Sequence, residues 1–224
     1  MDFNNINLTE GVFVKELKNR FLCEVMINGN SMECYVPSSC HLSNFINLSN
    51  CKVLLKENPA EARTNFSLFA FEYKDKFILL NTSIANTVIY EKIFSRKFDF
   101  LGKRTNIHKE FKFEKYKSDI YIEDTKSFIE IKSLLSLDEI GVFPTVYSDR
   151  TLQQLMNFLD YLKRGYKVYF FIVSLNPFLK RIRINRNTNF YILLKDCISI
   201  GLELYGFKID FNENIKIQRI PCDV

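Results

Sequence analysis

The chain has 224 residues, of which 47% are hydrophobic and 25% are charged, and its formal net charge is +5. This length allows one large or two small domains with a sizeable core, and the composition excludes an intrinsically disordered protein. The apolar runs are too short to cross a bilayer, and the polar segment 1–10 lacks the regions of a secretory signal peptide. We therefore expect a cytoplasmic protein whose modest positive charge is compatible with a polyanionic partner without requiring one.

The six cysteines include no C-x-x-C pair, and His41 beside Cys40 is the one histidine next to a cysteine. A zinc site is one interpretation of such residues. The spacing favours the alternative, reduced cysteines that pack as small hydrophobes in a cytosolic protein.

Strand patterns dominate the first third of the chain. Residues 21–27 lead into Asn28-Gly29, the strongest two-residue hairpin signal, and residues 31–36 return. Residues 51–56, 66–73 and 77–80 supply three further short strands. Five short strands favour a small barrel.

Three aromatic residues, Phe69, Phe71 and Tyr73, alternate within one predicted strand and are expected to share one face. In an OB-type barrel, such a face can stack on single-stranded nucleic acid. The alternative, which this spacing favours, is that the three rings belong to the core.

The most informative motif combines two alternating runs that carry charged residues. Asp119 lies in the run 118–122, and Glu130 and Lys132 lie in the apolar run that follows it. Alternate side chains of a strand share a face, so Glu130 and Lys132 point the same way. The polar stretch 123–127 is typical of a hairpin connection, which would bring Asp119 near Glu130.

These residue types suit the hydrolysis of phosphodiester bonds with a divalent metal. Asp119 and Glu130 can supply oxygen ligands to Mg2+ or Mn2+, and the Lys132 ammonium can orient the attacking water and stabilise the transition state. Glu-x-Lys alone also occurs on ordinary surface strands, so the motif depends on its surroundings. Glu110 offers a third carboxylate or, alternatively, a charge on a helix surface.

Downstream, the spacing of apolar residues predicts a helix between Ser148 and Gly165. Residues 166–175 form a continuous apolar run, typical of a strand buried on both faces. The order strand, strand, helix, strand places this last strand parallel to its predecessor in one sheet. A second helix is predicted over 189–200, before a closing strand over 202–209.

Basic and apolar residues alternate in segment 180–186, which would place Arg181 and Arg183 on one solvated side of an extended strand. Contact with a phosphate backbone is one interpretation. The alternative is a solvated sheet edge whose charges discourage pairing with another sheet.

These motifs together resemble the sugar fermentation stimulation protein family, the SfsA-type nucleases of the PD-(D/E)xK superfamily. The resemblance covers nearly the whole chain and is carried by the order and spacing of Arg20-Phe21-Leu22, Asn81-Thr82, Ala85-Asn86, Asp119, Ile129-Glu130-Ile131-Lys132-Ser133, Gly141-Val142-Phe143-Pro144 and Asp149-Arg150. Two departures stand out. Pro37-Ser38-Ser39-Cys40 replaces the usual Pro-Asn-Thr-Gly, and Leu152 and Gln154 stand where a glutamine and a histidine are common.

The resemblance implies an α/β (α+β) protein with an N-terminal OB-like β-barrel, residues 1–85, that binds nucleic acid. A restriction-endonuclease-like domain with a mixed central sheet flanked by helices follows in residues 86–224. The implied metal ligands are Asp119, Glu130 and the backbone carbonyl of Ile131, and the implied catalytic residues are Lys132, Glu130, Asp119 and Glu110. The arginines expected to contact nucleic acid are Arg20, Arg150, Arg181 and Arg183.

The preferred hypothesis is therefore a nuclease that depends on Mg2+ or Mn2+ and cuts DNA or RNA. A competing hypothesis is a non-catalytic DNA-binding regulator of sugar-catabolism genes. A regulator without catalysis is expected to have lost the three charged residues of the motif, whereas Asp119, Glu130 and Lys132 are all present. In addition, no helix-turn-helix pattern supports sequence-specific readout of DNA. A third hypothesis, a partner-binding protein with a vestigial site, expects no metal binding.

Overall fold

A computed structural model describes residues 7–37, 42–44, 46–212 and 215–224. Its strands and α-helices are β1 (Leu8–Glu16), β2 (Leu22–Ile27), β3 (Asn30–Tyr35), β4 (Lys52–Glu57), β5 (Phe66–Tyr73), β6 (Lys76–Leu79), α1 (Ser83–Lys92), β7 (Ile107–Phe113), β8 (Tyr116–Ile122), β9 (Ser127–Leu134), β10 (Ile140–Phe143), α2 (Asp149–Lys163), β11 (Lys167–Ser174), β12 (Arg181–Ile184), α3 (Asn189–Ser199), β13 (Glu203–Asp210), β14 (Lys216–Ile220) and β15 (Cys222–Asp223). Short 3-10 helices cover Leu42–Asn44 and Arg96–Leu101. Within these ranges, no helix has both the length and the apolar character needed to cross a membrane.

The N-terminal sheet has six strands in the order β3-β2-β1-β4-β5-β6, and a further pairing of β3 with β5 curls it towards a ring. The five predicted strands are all present, and the Asn28-Gly29 hairpin is confirmed. The sequence missed β1, because Gly11 in its middle weakens the strand pattern. Gly11 is needed there, since a Cβ would lie 2.6 Å from Cγ1 of Val25 on β2.

The predicted shared face of the aromatic residues in β5 is wrong, because the strand is irregular at Phe69. Ala70 pairs with Leu54 and Leu68 pairs with Leu55, so the register shifts between them. Phe69 therefore packs into the core shared with the C-terminal sheet, whereas Phe71 packs inside the N-terminal sheet. Both rings are buried, which confirms the core interpretation for them.

The central C-terminal sheet has six strands in the order β14-β13-β11-β9-β8-β7. β9, β11 and β13 are parallel neighbours, whereas β7, β8 and β14 join as antiparallel strands. The predicted parallel pairing on either side of the helix is confirmed. The predicted closing strand, β13, lies inside the sheet, because β14 and β15 follow it. The sequence missed β14 since Lys216–Ile220 is short and rich in charge.

Helices cover this sheet on both faces, which explains the continuous apolar run of β11. Phe170 and Ile172 belong to the core formed with α2 and α3. Tyr169 and Phe171 belong to the core formed with α1 and with strands of the N-terminal sheet. The N-terminal sheet and the central sheet therefore meet in this second core.

The helix α2 begins and ends as its sequence predicts. The Ser148 hydroxyl caps its first turn by accepting a hydrogen bond from the Thr151 N–H at 3.2 Å. Gly165 follows its last turn with a φ of +84°, a conformation that glycine adopts without a steric penalty. These caps fix the helix that packs over β9 and β11.

A small parallel sheet has the order β10-β12-β15. β12 lies between its two neighbours, so the interpretation of segment 180–186 as a sheet edge is wrong. Arg181 and Arg183 are exposed, and the intervening Ile182 is buried, as the alternation predicts.

The described cysteines are free thiols, namely Cys23, Cys34, Cys51, Cys197 and Cys222. Cys40 and His41 lie outside the described residues, as do Ser38 and Ser39.

Candidate active site

Glu130 and Lys132 lie on the same face of β9, as their alternation predicts. Lys132 Nζ lies 2.7 Å from Glu130 Oε1, and Glu130 is only 3% exposed. A buried carboxylate needs compensating charge and hydrogen bonds, because leaving water costs several kcal/mol. Lys132 supplies the charge.

Gln154 on α2 holds this ion pair from the neighbouring layer. Its Nε2 donates to Glu130 Oε1 at 2.7 Å, and its Oε1 accepts from Lys132 Nζ at 2.6 Å. A neutral amide can do both at once, since it carries a donor and an acceptor side by side. Gln154 was identified in the sequence only as a departure from the family pattern, and no site role was assigned to it.

Tyr116 at the start of β8 holds the other oxygen of Glu130. Its hydroxyl donates to Glu130 Oε2, and its ring lies edge-on to Phe158 of α2. Burial, followed by the charge of Glu130, raises the pKa of Tyr116 well above its usual value. The phenol therefore stays protonated and donates. No motif in the sequence indicated this residue.

Asp119 lies on β8 beside the point where the β8–β9 ladder ends at the pair Ile120 and Ile129. Its Oδ2 accepts the backbone N–H of Ile131 at 2.7 Å, and its Oδ1 accepts from Asn86 Nδ2 at 3.0 Å. Asn86 comes from α1, which the sequence did not predict as a helix. The carboxylate thus replaces a strand carbonyl as the acceptor for β9.

Burial and then the negative charge of Glu130 raise the pKa of Asp119 to about 6, against the opposing effects of the Ile131 N–H, Lys132 and Asn86. Glu130 and Lys132 therefore act on Asp119 electrostatically. The structure brings the three charged residues of the motif into one region. Their roles remain predictions.

Glu110 lies on β7, so the helix-surface interpretation is wrong. It interrupts the β7–β8 ladder at the level of Asp119 and has a φ of +49°, which is uncommon for a residue other than glycine. Its exposed carboxylate bonds Lys117 Nζ at 2.8 Å. The hydrogen bond from Lys117 lowers the pKa of Glu110. Glu110 and Asp119 nevertheless line one cavity.

The four predicted nucleic-acid arginines lie on separate elements. Arg20 precedes β2 with its guanidinium 4.6 Å from the centre of the Phe21 ring, and Arg150 lies in the first turn of α2. On β12, Arg181 forms an ion pair of 2.9 Å with Asp223, whereas Arg183 is exposed.

Comparison with known proteins relates the N-terminal and C-terminal parts of the chain to one family. Residues 17–80 match the SfsA N-terminal OB domain, and residues 83–215 match the sugar fermentation stimulation protein RE domain. The chain belongs to the sugar fermentation stimulation protein family. Its fold class, an OB domain followed by a sheet covered by helices, confirms the expectation from the sequence.

Two clostridial proteins named sugar fermentation stimulation protein homologs are similar to this chain. The protein of Clostridium beijerinckii is 31% identical over 178 residues, which cover 77% of this chain and 76% of the relative. That of Clostridium acetobutylicum is 31% identical over 160 residues, covering 69% and 68%. The structure of Pyrococcus furiosus SfsA in complex with Ca2+ has a TM-score of 0.79 at 16% identity, covering 97% of this chain and 96% of that one. The last likeness concerns the fold.

The two carboxylates of the motif in this SfsA family member are the kind of oxygen ligand that a hard divalent metal prefers. In the described part of the chain, no group of three or more His, Cys, Asp or Glu side chains is placed to hold a metal ion by itself. Asp119 and Glu130 supply two carboxylates, and Mg2+ commonly binds one or two carboxylates together with waters and substrate phosphates. The residues present therefore suit a metal that takes its remaining oxygen ligands from outside the protein.

Proposed function

We propose that this protein is a divalent-metal-dependent nuclease that hydrolyses phosphodiester bonds in DNA or RNA. The observation that carries the proposal is the buried group of Lys132, Glu130 and Gln154 beside Asp119. A buried ion pair is a weak source of stability, since apolar residues of similar volume stabilise a core as well or better. Its presence therefore favours a functional role. A lysine and two carboxylates are what metal-assisted phosphoryl chemistry needs.

Asp119 and Glu130 would hold Mg2+ or Mn2+, with the Ile131 carbonyl as a further ligand. The bound metal would polarise a phosphate oxygen and lower the pKa of a water molecule. Lys132 orients the attacking water and offsets the negative charge that develops on the phosphate in the transition state. Tyr116 and Gln154 hold Glu130 in place, and Asn86 holds Asp119. Glu110 supports the site from its rim.

The family relationship supports this proposal in two ways. The C-terminal match is an RE domain, and the N-terminal match is an OB domain, a fold that commonly binds single-stranded nucleic acid. The Pyrococcus furiosus protein of the same fold binds Ca2+, a hard dication that prefers oxygen ligands. We accordingly assign nucleic-acid binding to residues 1–85 and catalysis to residues 86–224. We also propose a cytoplasmic location, as the sequence led us to expect.

The proposal is tested by incubating the purified protein with labelled single- and double-stranded DNA and RNA, with Mg2+, Mn2+ or EDTA. Asp119→Asn and Lys132→Met keep the size of each side chain while removing its charge, and each is expected to lower cleavage by about 100- to 1,000-fold. Lys167→Met, at the exposed start of β11, is the matched control and should cut normally. Unchanged cleavage by both site variants overturns the assignment. Salt-sensitive DNA binding without cleavage by the unmodified protein indicates the regulator instead.

A further inference from the structure

A cavity of about 270 Å³ opens beside Asp119, between α1 and the β7–β8 hairpin. Asn86, Thr87 and Tyr90 form its helical wall. Lys109, Glu110 and Asp119 form its strand wall. Because Asp119 belongs to the proposed metal site, a molecule in this cavity lies directly next to the bond that would be cut.

Lys109 gives this cavity a cation without an acidic partner. Its Nζ lies 3.7 Å from the centre of the Tyr90 ring, and its side chain is exposed. Among the described residues, no carboxylate lies within ion-pair distance of Lys109, whereas the neighbouring Glu110 is already paired with Lys117. The positive charge of Lys109 is therefore available to an incoming anion.

Lys109 and Tyr90 together offer a positive charge and an aromatic surface at one place in the cavity. An exposed ammonium attracts phosphate, which supplies most of the affinity for nucleic acid. An aromatic ring offers a surface to a sugar or base, and such contacts tolerate any base. The cavity volume lies just below the range of about 300–1,000 Å³ for ligand pockets, which fits one nucleotide but not a duplex.

We propose that this cavity is a subsite for one nucleotide adjacent to the cleaved phosphodiester, with Lys109 on its phosphate and Tyr90 against its sugar and base. The inference rests on the proposed nuclease function, because Asp119 forms one wall. It narrows the substrate class to a single strand or a strand end, since one nucleotide must leave the base stack to enter.

The test is an NMR titration of the full-length protein with thymidine 5′-monophosphate, with separate arms for inorganic phosphate and for thymidine. Lys109→Ala is expected to weaken binding of the monophosphate by about tenfold, the value of one well-placed phosphate contact. Lys195→Ala is the matched control, because Lys195 on α3 is likewise exposed and lies 5.6 Å from the Tyr191 ring. It should bind like the unmodified protein.

Tyr90→Leu removes the aromatic ring but keeps an apolar contact with the core. This variant is expected to bind the monophosphate more weakly and to bind inorganic phosphate as before. Equal binding by Lys109→Ala, or no binding by the unmodified protein, overturns the subsite. If inorganic phosphate binds as tightly as the monophosphate, the cavity recognises phosphate alone and the nucleotide subsite is overturned.

Failure of the two proposals can be told apart, because this titration needs no cleavage. If the monophosphate binds in a way that depends on Lys109 but the protein cuts no substrate, a nucleotide-binding cavity is supported, and the nuclease function is overturned together with the position beside a cleaved bond. If the protein cuts nucleic acid but Lys109→Ala binds the monophosphate as tightly as the unmodified protein, only the subsite is overturned.

Discussion

Asn86 Nδ2 donates a hydrogen bond of 3.0 Å to Asp119 Oδ1, and this bond joins α1 to β8 across the candidate site. The amide favours the charged form of a carboxylate whose burial and proximity to Glu130 disfavour it. Groups that orient a metal ligand commonly affect metal affinity strongly, so Asn86 would tune the metal site that we propose at Asp119.

Asn86→Ala is therefore expected to weaken Mn2+ binding by about 10- to 100-fold, because Asp119 loses a donor that fixes its orientation. Isothermal titration calorimetry with Mn2+ at neutral pH measures the change. Asn157→Ala is the control, since Asn157 also lies on a helix but contacts Gln153 instead of the site. Mn2+ affinity that is the same in all three proteins contradicts this role for Asn86.

Gln154→Leu should destabilise the fold by about 1–3 kcal/mol, because Glu130 and Lys132 lose a shared buried partner. Urea denaturation gives the free energy of unfolding. Gln153→Leu, at the exposed neighbouring position, should change it by no more than about 0.5 kcal/mol. Gln154→His keeps a side chain that can both donate and accept hydrogen bonds and should retain most of the cleavage activity. The same loss of stability in both leucine variants would show that the amide contacts contribute nothing specific.

Arg183→Ala is expected to reduce the slope of log affinity for DNA against log salt concentration by about 1, because one phosphate contact is lost. Arg181→Ala should have a smaller effect, since Asp223 already offsets the Arg181 charge. Arg164→Ala serves as the control, because Arg164 is paired with Glu114 and Asp160. Fluorescence anisotropy at several salt concentrations measures the slopes. An unchanged slope for Arg183→Ala removes β12 from the nucleic-acid surface.

Asp210 on β13 links the two sheets through an ion pair of 2.7 Å with Lys76 on β6. Burial raises the pKa of Asp210, but hydrogen bonds from Lys76 and Asn212 outweigh it and lower the pKa to about 2. A folded-state pKa below the unfolded value of 3.8 means that the stabilisation is complete above that value and is lost as the pH falls towards 2.

Asp210→Asn should consequently destabilise the protein by about 1 kcal/mol at pH 7, after allowance for solvent screening. The difference from the unmodified protein should be constant above about pH 4 and shrink as the pH falls from about 4 towards 2. Urea denaturation across this range measures it. A difference that is independent of pH would mean that the Asp210 charge does not stabilise the joined sheets.

The arrangement of Glu130 and Lys132 could be predicted from the sequence, because a strand places alternate residues on one face wherever it lies. The helix between Ser148 and Gly165 was equally predictable, since its apolar spacing and both caps are local. The irregularity at Phe69 was not, because a register shift depends on the partner strand β4. Glu110 was ambiguous for the same reason, as the sequence of β7 gives no sign of its break in the ladder.

The sequence by itself determined the acidic and basic residues of the candidate site, the main strands that carry them and the parallel crossover through α2. Tertiary structure alone decided that Asn86 reaches Asp119, that Gln154 and Tyr116 hold Glu130, and that β12 lies inside its sheet. The physical reason is that backbone periodicity is repeated along the chain, whereas contacts between distant residues depend on how helices and sheets pack. Each of these partners lies on a different element from the residue it holds, so no local pattern could identify it.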